Sequence, residues 1–240
     1  MPVDRDRIEE RTEDALRRAV AARDEALAIV SHDLRNPLSA VQLSTRLLGE
    51  LGLDERARKH VEMIQRAARS MSRLIEDLLD TVAIEAGRLA LDVRPELVTA
   101  LLGAVSERNE PAARDRGVAL RATCDVPDVA IRADRARVIQ VFGNLIGTLL
   151  TFCRAGDAVT ISCQVDGDAV EFAISDTGPG IDPGLVPHLF EPYWTAPPNV
   201  RRRLGLGLYI ARGIVDHHGG RIRVEARPGA AFVFTLPRAR

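Results

Sequence analysis

Over 240 residues the chain carries 33 basic against 34 acidic side chains, and 46% of its residues are hydrophobic. That is material for one large or two modest domains with real cores. Near-zero net charge argues against a protein that lives by neutralising nucleic-acid phosphates. No apolar run reaches membrane-spanning length, and the opening MPVDRDRIEE is too charged for a signal peptide. Cys124, Cys153 and Cys163 are odd in number and lack metal-ligand spacing, so we expect reduced core thiols in a cytoplasmic protein.

From about Arg5 to Leu48 the pattern is helical. Leu27, Val30, Leu34, Leu38, Val41, Thr45 and Leu48 follow 3-4 spacing, the seam of a coiled coil or bundle. After a break at Gly49–Asp54, Val61, Ile64, Ala68, Met71, Ile75, Leu78 and Val82 repeat it on a second helix. One such hairpin cannot cover its own apolar seam, so a homodimeric four-helix bundle is expected. Residues 1–24, dense in Arg, Glu and Asp, read as a helical coiled-coil arm or a solvated tail, and residues 25–88 as the hairpin domain.

Beyond Gly87 prolines appear and period-2 alternation replaces the heptads. A domain boundary is expected near 87–94, with a second domain over 92–240. Strands are expected at Val118–Cys124, Val159–Val165, Val170–Ile174, Ile222–Ala226 and Phe232–Leu236. Helices are expected at Val98–Arg114, Arg135–Phe152 and Leu208–His217. A VDGDAV turn joins two of the strands. The fold class is therefore an α-helical hairpin followed by an α/β sandwich with a mixed sheet.

Five short stretches carry chemistry. In SHDLRNPL, His32 falls on the helix face opposite the seam, with Asp33 as its immediate neighbour. A neutral imidazole nitrogen is a good nucleophile near neutral pH, and an adjacent carboxylate serves as base. Pro37 frees the Asp33 carbonyl and lets the helix bend just past the histidine. In DTGPGI, directly after a strand as a nucleotide loop would be, a buried Asp176 is expected to be able to accept a hydrogen bond from a base's amino group. Gly178 and Gly180 there allow torsions and close approach that a Cβ forbids. LGLGL places Gly205 and Gly207 at the start of the helix beginning near Leu208, where free N–H groups and the dipole favour phosphate. LFEPYW is an aromatic turn around Phe190, and the basic run Arg201, Arg202 and Arg203 suits phosphate oxygens as well as it suits solvent. In NLIGT, Asn144 and Thr148 lie four apart on one helical face. No GxxxxGK[ST] occurs, so the chain holds no P-loop. The HHGG run at His217–Gly220 lacks ligand spacing and reads as a helix end.

Taken in order, these motifs resemble those of the two-component sensor histidine kinases: an H box, an N box, nucleotide-binding glycine loops and an F box. The resemblance covers almost the entire chain. It implies a dimerisation and phosphotransfer hairpin followed by an ATP-binding domain of the gyrase/Hsp90/MutL type. It makes His32 the phosphoacceptor, Asp33 the assisting base, and Asn36 the position that helps orient water for phosphatase activity. It puts ATP against Asn144, Asp176, Gly178, Gly180, Gly205, Gly207 and Leu208, with Phe190 anchoring a lid that runs to Arg203. It puts Mg²⁺ at Asn144 and Thr148. The implied partners are a response-regulator receiver domain, a second copy of the chain and an upstream sensor domain on the N-terminal side.

The sequence departs from that pattern in places. Thr148 stands where the family usually has a Mg²⁺-binding asparagine, and Thr151 where it usually has a lysine. Arg203, Ala230 and Ala231 replace glycines. Two other classes follow from the same residues. One is a hydrolysing ATPase of the same superfold, whose relatives use a glutamate where this chain has Asn144. The other is a degenerate kinase acting as a regulator-binding scaffold or phosphatase, which Thr148 and Thr151 favour.

Overall fold

A computed structural model describes residues 31, 34–126, 128–192, 205–227 and 229–239. The chain divides into two compact units, Met1–Val82 and Ala83–Arg240.

In the first unit, helix α1 is described over 34–50 and continues through Pro37, and α2 spans Glu55–Glu85. Asp54 starts α2 by accepting from the Ala57 N–H at 2.7 Å, a side-chain N-cap. The heptad pattern splits in two. Leu38 and Thr45, with Val61, Ala68 and Ile75, are buried between the helices. The alternate seam positions Leu34, Val41, Leu48, Ile64 and Met71 stay 41–52% exposed. Each helix spends one apolar row on the other and leaves a second row on the surface.

The second unit is an α/β sandwich with strands β1 Arg94–Leu97, β2 Ala119–Ala122, β3 Ala130–Ala133, β4 Ala158–Asp166, β5 Ala169–Asp176, β6 Ile222–Arg227 and β7 Gly229–Pro237. Its helices are α3 Val98–Arg114, α4 Arg135–Phe152 and α5 Gly207–His217, with a short 3-10 turn at Pro183–His188. The main sheet has the order β2-β4-β5-β7-β6, parallel only between β2 and β4. β1 and β3 pair antiparallel as a separate two-stranded sheet.

The strands form because alternate residues find a core. Val159, Ile161 and Cys163 of β4, Val170, Phe172 and Ile174 of β5, and Phe232, Phe234 and Leu236 of β7 are buried. They meet Val138, Val141, Phe142, Leu145, Ile146 and Leu149 of α4, all at most 1% exposed. Phe142 stands edge-on to Phe172 and Phe234 at 5.5 and 5.1 Å, and those two rings stack at 5.1 Å. The β4–β5 turn is the tight one expected: Asp166 pairs with Ala169, and Gly167 takes φ 58°.

Three expectations shift. β2 is shorter than Val118–Cys124, because the Val118 N–H instead closes a turn onto the Ala113 carbonyl. α5 begins at Gly207, one residue early. β1 and β3 are additional strands, stabilised by each other at the sheet margin. Ala83 and Ile84 from the last turn of α2, with Leu89 and Leu91 after it, pack with the core of this second unit. Ile84 fills the space that a Cβ on Gly213 of α5 would need, to within 2.5 Å.

Candidate functional site: a corner between α4, α5 and the end of β5

Asp176 ends β5 and is only 7% exposed. Its Oδ1 accepts from the Gly178 N–H at 2.7 Å and its Oδ2 from the Ala230 N–H at 3.0 Å. Charge-assisted bonds of this kind are the strong ones, and each oxygen keeps a further lone pair for a ligand donor. The carboxylate is thus fixed in direction by the turn that follows β5 and by the start of β7, 54 residues farther along the chain.

Glycines make the corner possible. A Cβ on Gly178 would stand 2.9 Å from the Asp176 Oδ1 and 3.2 Å from the Asp157 Oδ2. Gly180 has φ 78°, a left-handed torsion that a side chain would strain. Gly229 is more tightly required: at φ 83° its Cβ would sit 2.1 Å from the Asp176 carbonyl oxygen. The sequence reading missed Gly229; its only local signal is the RPGAA run entering the last strand. Ala230, noted as a departure, is tolerated because its contribution is the backbone N–H.

The other wall is α4 against α5. Asn144 is half-buried, and a Cβ on Gly207 would lie 3.4 Å from its Cγ. The Asn144 Nδ2 is the one buried side-chain nitrogen or oxygen without a hydrogen-bond partner among the described residues. A buried unpaired amide is expensive unless a ligand completes it. Next to it, the N-terminus of α5 has Leu206 at its cap and no side-chain cap bond. Its first N–H groups therefore have no intrahelical acceptor. The N-terminus of α4, in contrast, is closed by Asp134, which accepts from Arg137 N–H at 3.1 Å. Gly205 is half-buried, while Leu206 and Leu208 are buried and seat the start of α5 in the core.

Thr148 and Thr151 occupy the same half-exposed face of α4 as Asn144. Each hydroxyl donates back into its own helix, Thr148 to the Asn144 carbonyl at 2.7 Å and Thr151 to the Gly147 carbonyl at 2.9 Å. Their protons are committed, while oxygen lone pairs remain. No group of three or more His, Cys, Asp or Glu suited to a metal is present among the described residues. The groups this face would offer to a Mg²⁺ ion are then an amide and a hydroxyl. They fit an ion that takes most of its ligands from phosphates and water.

Phe190 packs edge-on to Phe232 at 6.3 Å, and the neighbouring Leu189 is buried. Asn36 is exposed on α1. His32, Asp33, Arg201, Arg202 and Arg203 lie outside the described residues. At the far ends of α4 and α5, His218 is only 8% exposed and caps α5. Its Nδ1–H donates to the Ile214 carbonyl at 2.8 Å and its Nε2 accepts from the Asp134 N–H at 2.9 Å. The HHGG run is thus a helix end, and it also pins the two helices of the corner together. Asp134 further accepts from the Asp92 N–H at 3.0 Å, drawing in the segment that follows α2. Burial pushes the Asp134 carboxyl up, but the N–H donors of Asp92, Arg137 and Ala136 outweigh it and hold the group below the usual carboxylate range.

Known proteins share both units. Residues 22–87 match the family model of the His Kinase A (phospho-acceptor) domain. Residues 133–240 match that of the histidine kinase-, DNA gyrase B- and HSP90-like ATPase. The sensory/regulatory protein RpfC of Xanthomonas campestris pv. campestris is 35% identical over 93% of this chain and 32% of its own length. The signal transduction histidine-protein kinase BarA of Escherichia coli is 33% identical over 91% of this chain and 25% of its own. This chain therefore spans about a third or less of these two relatives. Among solved structures, full-length ShkA in complex with AMPPNP superposes with TM-score 0.73 at 30% identity, over 90% of this chain and 46% of that one. The catalytic domain of the histidine kinase ThkA superposes with TM-score 0.56 at 27% identity, over 62% of this chain and 97% of that one. With a phosphoacceptor-type hairpin and an ATPase-type sandwich in the same order, the chain belongs to the two-component sensor histidine kinases and carries their catalytic core.

Proposed function

We propose that this chain is an ATP-dependent protein-histidine kinase that autophosphorylates on His32 and passes the phosphoryl group to an aspartate of a response-regulator receiver domain. The observation that carries the reading is the corner itself. A buried carboxylate at Asp176 and an unpaired buried amide at Asn144 flank an α5 N-terminus that has no side-chain cap. An adenine amino group is a donor that Asp176 accepts, and phosphate oxygens are acceptors for Asn144 Nδ2 and the α5 N–H groups. The AMPPNP bound by ShkA supports the same ligand class here.

In the transfer, a ring nitrogen of His32 attacks the γ-phosphorus. The N–P bond forms as the bond to the β,γ-bridging oxygen breaks, ADP leaves, and Asp33 takes the proton from the other ring nitrogen. Arg201, Arg202 and Arg203 add positive charge near the phosphates, and Phe190 anchors the segment that bears them. Mg²⁺ held beside Asn144 and Thr148 supplies charge neutralisation on the phosphates when bound. Asn36 orients water when the regulator is dephosphorylated. The exposed row Leu34, Val41, Leu48, Ile64 and Met71 supports a homodimer. No helix among the described residues is long and apolar enough to cross a membrane. We place the core in the cytoplasm, downstream of an N-terminal sensor.

A second reading has a specific observation behind it. With the Thr148 and Thr151 hydroxyls turned back into α4, the corner offers a thin metal site and no lysine. A degenerate kinase, working as a regulator-binding scaffold or phosphatase, follows if turnover fails. Incubation of the full chain with γ-labelled ATP and Mg²⁺ separates the two. The kinase reading expects label that is lost in acid, kept in alkali and absent from His32→Gln. Full labelling of His32→Gln overturns the phosphoacceptor assignment, and no labelling of the native chain selects the scaffold.

A further inference from the structure

All three cysteines are free thiols, but two of them meet. Cys163 lies on the core face of β4 and is 4% exposed, and Cys124 follows β2 by two residues and is half-buried. β2 and β4 run parallel with Ala122 opposite Ile161. The Thr123 N–H donates to the Ile161 carbonyl at 2.8 Å and carries the register past the end of β2. Cys124 therefore arrives level with Cys163, and their sulfurs stand 3.3 Å apart. Neighbouring strands lie about 4.8 Å apart, inside the roughly 4.4–6.8 Å between Cα atoms that a disulfide spans. Cys153 is elsewhere, at the C-cap of α4 near Gly178.

We propose that Cys124 and Cys163 are an oxidative modification site, a dithiol that a peroxide-class oxidant closes to a disulfide tying edge strand β2 to β4. The chemistry balances without any other reactant. The Cys124 thiolate sulfur attacks one peroxide oxygen; the O–O bond breaks, leaving a sulfenic acid on Cys124 and a hydroxide that takes the Cys163 proton. The Cys163 sulfur then displaces hydroxide from the sulfenic sulfur, and that hydroxide collects the proton Cys124 first released. Two thiols and one peroxide give one disulfide and two waters, with the peroxide reduced.

Exposure selects Cys124 as the first sulfur to react. Burial and the bond to Cys124 push the Cys163 thiol up to about 12, and burial with the Asp176 and Asp157 charges pushes Cys153 up to about 11. Both are poor first nucleophiles, which leaves the more exposed Cys124 to react first. The edge position gives the bond its effect. β2 has only four residues and a single sheet neighbour, so a covalent tie there restrains the least-paired strand of the main sheet.

The test uses the full chain treated with excess hydrogen peroxide, quenched with N-ethylmaleimide and digested without reductant. The expected result is a Cys124–Cys163 linked peptide two hydrogens lighter than the free pair, reversed by dithiothreitol, with Cys153 alkylated. The oxidised chain should melt several degrees higher. Cys124→Ser should abolish both the linkage and the shift, and Cys153→Ser should keep both. Recovery of Cys124 and Cys163 as separately alkylated or over-oxidised residues overturns the proposal, as does linkage confined to Cys153. Should Cys163→Ser fail to fold, the half-buried Cys124→Ser variant decides alone.

Discussion

Replacing Asp176 by Asn changes one atom type at the centre of the corner. The native carboxylate accepts from Gly178 N–H and Ala230 N–H through different oxygens, at 2.7 and 3.0 Å. An amide has one oxygen, so one of those buried N–H groups must face an NH₂ group instead. Leaving a buried donor unpaired costs about 1–3 kcal/mol. In a chain of this size each kcal/mol moves the melting temperature by about 2–4 °C. A fall of roughly 4–8 °C at the middle of that range is expected by calorimetry of the full chain. The same change takes the charge and one of the two oxygens from the acceptor proposed for the adenine amino group, so that an NH₂ faces one donor. Losing a charge-assisted bond of about 1.5–3 kcal/mol weakens ATP binding roughly 10- to 150-fold, at about 1.4 kcal/mol per tenfold. Titration calorimetry at a temperature where the variant is folded reads that separately. An unchanged melting temperature would refute the claim that Asp176 satisfies both the Gly178 and the Ala230 N–H. Unchanged ATP affinity would refute the adenine contact.

Gly229→Ala should be worse for the fold than for any single contact, because its Cβ meets the Asp176 carbonyl at φ 83°. We expect a loss of at least about 2 kcal/mol in chemical denaturation, and a mild variant would mean the turn has another conformation. Asp134→Ala removes the α4 cap and should cost about 0.5–2 kcal/mol at neutral pH. Because the native carboxyl is held low, its contribution is complete above about pH 4 and fades as pH falls through the folded value. The gap between native and variant melting temperatures should narrow in acid, and a gap that widens there would contradict the assignment. Thr148→Asn frees the Asn144 carbonyl and offers an amide oxygen, so autophosphorylation should quicken and need less Mg²⁺. A flat response across a Mg²⁺ series would place Thr148 away from the metal. Serine at Leu34, Val41 and Leu48 together should convert a dimer to a monomer in light scattering, since these apolar residues are already exposed within one chain. A variant that stays dimeric would move the interface elsewhere.

Local pattern was enough for much of this chain. α3 and α4 run over the same residues that periodicity marks, and the β4–β5 turn falls where Gly167 and Asp168 stand between two alternating runs. These elements are legible because the period of side-chain burial is a property of consecutive residues. The five chemical motifs are legible for a related reason: each packs its required residue types into a few positions. Four-residue strands such as Arg94–Leu97 and Ala130–Ala133 are too short for a period to emerge, and they are held by pairing with each other and, at Ile131, by a bridge to Arg238.

What tertiary structure alone decided are the meetings between distant segments. The sequence marks a heptad seam on each hairpin helix, but only packing assigns Leu38 and Ala68 inward and Leu34 and Met71 outward. It marks Asp176 as an acceptor, yet the Ala230 N–H that aims it comes from β7, and Gly229 is needed only because that strand passes so close. His218 reads as a helix end until α4 is laid beside α5 and supplies the Asp134 N–H. Cys124 and Cys163, 39 positions apart, become partners through the parallel register of β2 on β4. Register between strands and the docking of helices are set by the whole core at once, so no window of neighbouring residues contains them.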